Sequence, residues 1–182
     1  LLDPPLHEFL PERESDISDV AIDLGVRADS LHARLEQLAE ANPMMGHRGV
    51  RVGITSPEVY RTQVRAIFEA ACELTREGVE VLPEVMIPLV GIPAELERMR
   101  TLTVQIAEEV IGEYGIRLDY LVGTMIELPR ACLLATDVAE HADFFSFGTN
   151  DLTQMTYGFS RDDAGKFFPD YQREGLMVDS PL

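Results

Sequence analysis

A chain of 182 residues has room for one domain with a core of its own. Its composition, 46% hydrophobic and 26% charged, is ordinary for a globular protein, and a net charge of −17 speaks against nucleic acid and anionic membrane surfaces as partners. That charge does not exclude a small anionic substrate, because local arginines and a metal reverse the field inside a cleft. No apolar run reaches the roughly 18 residues of a membrane-spanning helix, and no signal-peptide pattern opens the chain, where Pro4, Pro5, His7 and Glu8 arrive early. Cys72 and Cys132 have neither metal-ligand nor disulfide spacing, so a reducing, cytoplasmic compartment is expected.

In chain order, residues 1–10 read as a short strand entering a Pro-rich loop. Residues 11–41 are acidic with helical periodicity at Leu31, Leu35 and Leu38, and Asp29 or Ser30 is the expected cap. A turn-rich loop, 42–49, leads to a strand at Val50–Ile54. Ser56-Pro57-Glu58 then opens a helix to about Arg76, with Ser56 as N-cap. Val79–Val90 is apolar and β-rich. Pro93, Glu95 and Glu97 start a helix ending near Gly115. Leu118–Glu127 is a strand, Pro129 begins a helix to about His141, and Asp143–Phe147 is a strand. The tail, 152–182, reads as loop-rich, and both cysteines fall in helical segments. Strand and helix alternating with short links predict parallel strands joined by right-handed crossovers. About five strands are expected. Since a complete (β/α)₈ barrel needs about 250 residues and eight strands, the fold class is α/β, either an open sheet or an incomplete barrel.

Two carboxylates stand at the ends of successive predicted strands: Glu127, and Asp151 just beyond the next. In a parallel sheet such ends share one face, so the two acids are expected to converge at its mouth. Hard oxygen donors with open positions suit Mg²⁺, which takes one or two carboxylates and completes its shell with water and substrate. Taken alone, Glu127 reads equally as a helix cap or a solvated acid. Its apolar setting, Gly123–Arg130, changes the balance, because a carboxylate there needs a partner. Gly148 permits close backbone approach, and Thr149 and Asn150 offer polar groups to an anion, the alternative being a simple Asx-type loop. Arg161 and Arg48 are candidate clamps for carboxylate or phosphate, with a surface ion pair to Asp162 or Asp163 as the plainer reading of Arg161. His47 reads as a structural hydrogen-bonding residue; His7, His32 and His141 carry no chemistry; Met44, Met45 and the Phe144–Phe147 stripe read as core.

The blocks Leu2–Phe9, Asn42–Gly49, Pro83–Val90, Gly123–Pro129 and Phe144–Phe167 resemble successive blocks of the pyruvate, phosphate dikinases. The wider family of phosphoenolpyruvate (PEP)-utilising enzymes also holds PEP synthase and Enzyme I of the sugar phosphotransferase system. The Asp3–Phe9 and Asp162–Phe167 stretches favour the dikinases. The resemblance implies a C-terminal PEP/pyruvate-binding domain folded as a (β/α)₈ barrel, of which residues 1–182 cover about strands two to six, with 11–41 as a helical insertion. It implies Mg²⁺ on Glu127 and Asp151, and substrate contacts from Glu127, Gly148, Thr149, Asn150, Asp151, Arg161 and Arg48.

The resemblance equally implies what lies elsewhere. Two substrate arginines precede Leu1, a catalytic cysteine in a Cys-Ser-Pro-Phe-Arg-like block follows Leu182, and the phosphohistidine and ATP-binding domains are separate partners. The chain is therefore expected to be a piece of a longer phosphotransferase, without turnover by itself and prone to form homo-oligomers through unpaired strand edges. In a eukaryote an organelle remains compatible. Three rival readings are a PEP synthase or Enzyme I-like phosphotransferase, a Mg²⁺-dependent lyase acting through a pyruvate enolate, and a non-catalytic binding module.

Overall fold

The computed structural model describes residues 1–4, 6–39, 42 and 44–182, with the backbone alone at 6 and 7. Pro5 of the Pro-rich opening, residues 40 and 41 of the expected helical region and Pro43 of the following turn lie outside the described residues. Among those described, no helix is long and apolar enough to cross a membrane.

The acidic region after the opening folds as two helices rather than one, α1 (Glu14–Leu24) and α2 (Ala28–Leu38). Gly25, at φ 65°, ends α1 and returns its N–H to the carbonyls of Ala21 and Ile22. Neither Asp29 nor Ser30 caps α2, which starts one residue earlier, and Asp29 instead pairs with Arg27 at 2.9 Å. α1 buries only Ile17 and Ala21, α2 buries nothing fully, and neither helix contributes to the main hydrophobic core. Among the described opening residues there is no strand: Leu1 donates to the Met86 carbonyl at 2.8 Å, and Leu6–Phe9 is a 3₁₀ turn.

Val50–Ile54, expected as a strand, is helical: α3 spans Val50–Thr55. Its alternating β-branched residues are overridden by position. Gly49, at φ 54°, turns the chain, and Val50 N–H donates to the Pro88 carbonyl at 3.1 Å. Val50, Val52 and Gly53 are then buried, with the Tyr60 ring and Met99 pressed against Gly53.

α4 (Pro57–Arg76) begins on Pro57, whose missing N–H costs nothing at a first turn; Ser56 precedes it without a side-chain capping bond. Tyr60, Val64, Phe68 and Cys72 recur every fourth residue and form its buried stripe. β1 (Glu84–Ile87) follows, then α5 (Pro93–Tyr114), where Glu95 accepts the N–H groups of Gly91 and Ile92, each at 3.0 Å. α5 buries Leu96, Met99, Ile106, Ala107 and Val110 against α4 and the sheet, each such side chain contributing about 1.5–3 kcal/mol for the larger ones. Next come β2 (Leu121–Ile126), two short helices, α6 (Pro129–Leu133) and α7 (Ala135–Ala139), and β3 (Phe145–Phe147).

Among the described residues the sheet has three parallel strands in the order β1-β2-β3, rather than the five expected. Ile87 and Thr124 stand in register, as do Ile126 and Phe147, so all three strands end on one rim. Arg100 of α5 fixes the third strand: its guanidinium grips both oxygens of Asp143, at 2.8 and 2.9 Å, and also donates to the Val122 carbonyl at 2.8 Å. The expected loop-rich tail is largely helical, as α8 (Thr149–Tyr157), α9 (Arg161–Ala164) and α10 (Phe168–Arg173). The rings of Phe159, Phe167 and Tyr171 meet edge to face and hold that tail together. Two readings of core are corrected. Phe147 is 65% exposed because it ends an edge strand, and Met45 is 56% exposed on its turn.

Candidate functional site

Everything that follows a strand at the common rim meets there. Beyond β1, Pro88 and Leu89 turn the chain; beyond β2 comes Glu127; beyond β3, Gly148 leads into α8, which carries Asp151 in its first turn. Gly148–Asp151, for which a simple Asx-type loop was the plainer alternative, instead opens a helix that begins at Thr149.

Glu127 is 3% exposed. Its Oε1 accepts the Leu89 N–H at 2.6 Å, and Leu89, with φ 64°, holds a left-handed conformation uncommon outside glycine. Burial pushes the Glu127 carboxyl up to about 7, and a hydrogen bond to Asp151 and the charges of Asp3 and Asp151 add to the rise, against the Leu89 N–H. Glu127 therefore holds its proton far more tightly than a solvated carboxyl does. Gly148 makes room for this contact: a Cβ there would sit 2.5 Å from Glu127 Cβ and 2.6 Å from its Oε2.

Arg48 faces the pair from the other side, with Nη2 3.7 Å from Asp151. Its guanidinium is held by Asp3, through both carboxylate oxygens and the Asp3 carbonyl, and by the Met44 carbonyl at 3.2 Å. Desolvation opposes its charge, but Asp3, Asp151 and Glu127 more than offset that and raise its pKa. Gly49 allows the approach, since a Cβ there would lie 2.8 Å from both Asp3 Oδ1 and Leu89 Cβ. A cleft of about 380 Å³ opens over the group, lined by Asp3, Glu8, Arg48, Asn150, Asp151 and Gln154 among others.

Arg161 is not paired with Asp162 or Asp163: its Nε donates to Asn150 Oδ1 at 2.5 Å, while Asp163 pairs with Lys166. Thr149 and Asn150 are exposed at the start of α8. His47 lies against the Thr55 hydroxyl at 2.6 Å, in keeping with a hydrogen-bonding residue. The fold thus brings Glu127, Asp151, Arg48 and Gly148 into one contact group and links Arg161 to it through Asn150. Sequence reasoning passed over Asp3 and Gln154 as site residues. Asp3 had one signal, an acid between Leu2 and Pro4. Gln154 had another, its place three residues after Asp151 on the same helix face.

The sequence profile of the family described as "PEP-utilising enzyme, PEP-binding domain" matches residues 1–173. The chain belongs to that family. Among relatives of this PEP-binding domain, the chloroplastic pyruvate, phosphate dikinase of Flaveria trinervia is 52% identical over 184 residues, covering all of this chain and 19% of the relative. The pyruvate, phosphate dikinase of Rhizobium meliloti (strain 1021) is 54% identical over 183 residues, covering 20% of its length. Pyruvate, phosphate dikinase 2 of Zea mays is 52% identical over 184 residues, covering 21%. The chain therefore spans about a fifth of the length of these relatives.

Proposed function

We propose that the cleft binds PEP or pyruvate together with one Mg²⁺ ion, as the PEP/pyruvate-binding part of a pyruvate, phosphate dikinase. The observation that carries this is the meeting of buried Glu127 and half-buried Asp151 at the carboxyl rim of a parallel sheet, with Arg48 3.7 Å from Asp151. Ligands of α/β sheets bind at that rim. Identity above 50% to dikinases along the whole chain supports the choice of reaction.

The residues fit the metal. Burial and the neighbouring carboxylates raise the Glu127 carboxyl to about 7, and a divalent cation at that point would offset both costs. Among the described residues no group of three or more His, Cys, Asp and Glu stands ready to hold a metal. Two carboxylates plus water and substrate oxygens are the usual Mg²⁺ set, however. Bound there, Mg²⁺ supplies Lewis-acid polarisation of substrate oxygens.

The reading assigns the chain's own groups as follows. Glu127 and Asp151 hold the metal and position the substrate carboxylate. Arg48, fixed by Asp3, and Arg161, fixed by Asn150, stabilise negative charge on the substrate and on the group transferred. Backbone at Gly148 and Thr149 meets the ligand. Phosphoryl transfer asks chiefly for such positioning and electrostatics. The parent reaction, ATP, pyruvate and phosphate to AMP, PEP and diphosphate, passes through a phosphohistidine on another domain. The three strands would form part of a (β/α)₈ barrel completed outside this chain.

Isothermal titration of the chain with Mg²⁺, then with PEP in its presence, tests the reading. Binding that Asp151→Ala removes supports it, and an unchanged Mg²⁺ affinity in Asp151→Ala overturns the ligand assignment. The chain by itself should show no ATP- and phosphate-dependent formation of PEP from pyruvate.

A further inference from the structure

Gln154 is a buried amide at the edge of the cleft, 8% exposed, on the same face of α8 as Asp151. Its carbonyl oxygen is committed: Oε1 accepts the backbone N–H of Arg161 at 2.8 Å. That bond settles which way the amide points, since an N–H donor on Arg161 requires the oxygen to face it. The NH₂ group is thereby turned the other way. Among the described residues it makes no hydrogen bond, and unlike the hydroxyls of Tyr60 and Thr103 it is not shut off from solvent, so it is free to donate to a molecule in the cleft. The cleft that Gln154 lines holds cationic Arg48 and the carboxylates of Asp3 and Asp151. Arg48 already occupies Asp3.

We propose that Gln154 is a ligand-binding residue of this cleft, its amide Nε2 donating to an oxygen of the anion bound beside Asp151 while Arg161 N–H holds its Oε1. The site of the anion rests on the function proposed above. The same side chain thus couples two elements: the turn carrying Arg161 fixes the amide, and the amide reaches the ligand. The backbone carbonyl of Gln154 secures the turn as well, accepting the N–H groups of Gly158 at 2.8 Å and Phe159 at 3.2 Å. Turn and ligand contact therefore share one residue.

A double-mutant cycle separates direct binding from mere support of Arg161. PEP affinity in saturating Mg²⁺ is measured by titration calorimetry for the chain, Gln154→Met, Arg161→Ala and the double variant. A direct donor predicts that Gln154→Met weakens PEP about tenfold or more, and weakens it by a similar factor again on top of Arg161→Ala, with Mg²⁺ affinity unchanged. No further loss in the Arg161→Ala background overturns the proposal and leaves Gln154 as a support for the turn. Should Gln154→Met fail to fold, Gln154→Glu keeps an acceptor for Arg161 N–H but has no NH₂, and undiminished PEP affinity in that variant overturns the proposal equally. If the unaltered chain binds Mg²⁺ but not PEP, the functional reading itself fails, and this inference with it.

Discussion

Arg48 and Asp151 face each other across 3.7 Å, and Asp3 holds the guanidinium in place from the opposite side. The two partners of Arg48 come from the opening segment and from α8, residues far apart in sequence. Arg48 itself is 12% exposed, so its charge depends on both.

Removing Asp3 should therefore be felt twice. Asp3→Ala leaves a largely buried guanidinium without its main partner, which should cost about 2 kcal/mol of stability in urea denaturation. PEP affinity should fall about tenfold as Arg48 swings toward Asp151. Wild-type affinity and stability in Asp3→Ala would show that Arg48 needs no such anchor.

Glu127 makes stability depend on pH in an unusual direction. Its carboxyl is raised to about 7 in the folded chain, against about 4.3 when unfolded. The folded state thus holds its proton more tightly. Stability from this group is complete below about pH 4.3 and declines as pH rises through 7, by on the order of 3 kcal/mol. Denaturation midpoints followed from pH 4.5 to 8 should show that decline, and Glu127→Gln should flatten it. Mg²⁺ competes with the same proton, so its affinity should climb with pH up to about 7 and level off above.

Gly148→Ala should damage the site by displacing Glu127. The new methyl would meet Glu127 Cβ at 2.5 Å and Met125 Sδ at 2.7 Å, and one of them must move. A loss of about 1–3 kcal/mol and at least a tenfold weaker Mg²⁺ binding are expected, read by thermal melting and calorimetry. An unaltered Mg²⁺ affinity would mean that Glu127 is not held where the metal needs it.

Phe68, on α4, is fully buried in the core, edge-on to Tyr120 at 5.0 Å. Phe68→Ala should cost about 3–5 kcal/mol, measured by urea denaturation. A cost under about 1 kcal/mol would place the core elsewhere.

β3 ends the sheet among the described residues and carries Phe147, 65% exposed, on its outer edge. Light scattering over a concentration series should reveal self-association that Phe147→Lys reduces. A monomer at every concentration tested would count against a homo-oligomer.

The sequence by itself determined what depends on near neighbours. Pro57 and Pro93 mark the first turns of α4 and α5, the fourfold spacing of Tyr60, Val64, Phe68 and Cys72 names a buried face, and the apolar surroundings of Glu127 announce an acid in need of a partner. Strand–helix alternation was enough to put Glu127 and Asp151 on one rim, because parallel strands share their carboxyl ends. Only tertiary structure decided the rest. Val50–Thr55 alternates like a strand but is helical, since Gly49 turns it and the Pro88 carbonyl takes its first N–H. Asp3 and Gln154 join the site through hydrogen bonds to Arg48 and Arg161. The pairing of Asp3 with Arg48 spans 45 positions. Local pattern encodes periodicity and caps; it does not encode which distant donor meets which acceptor once the chain has closed.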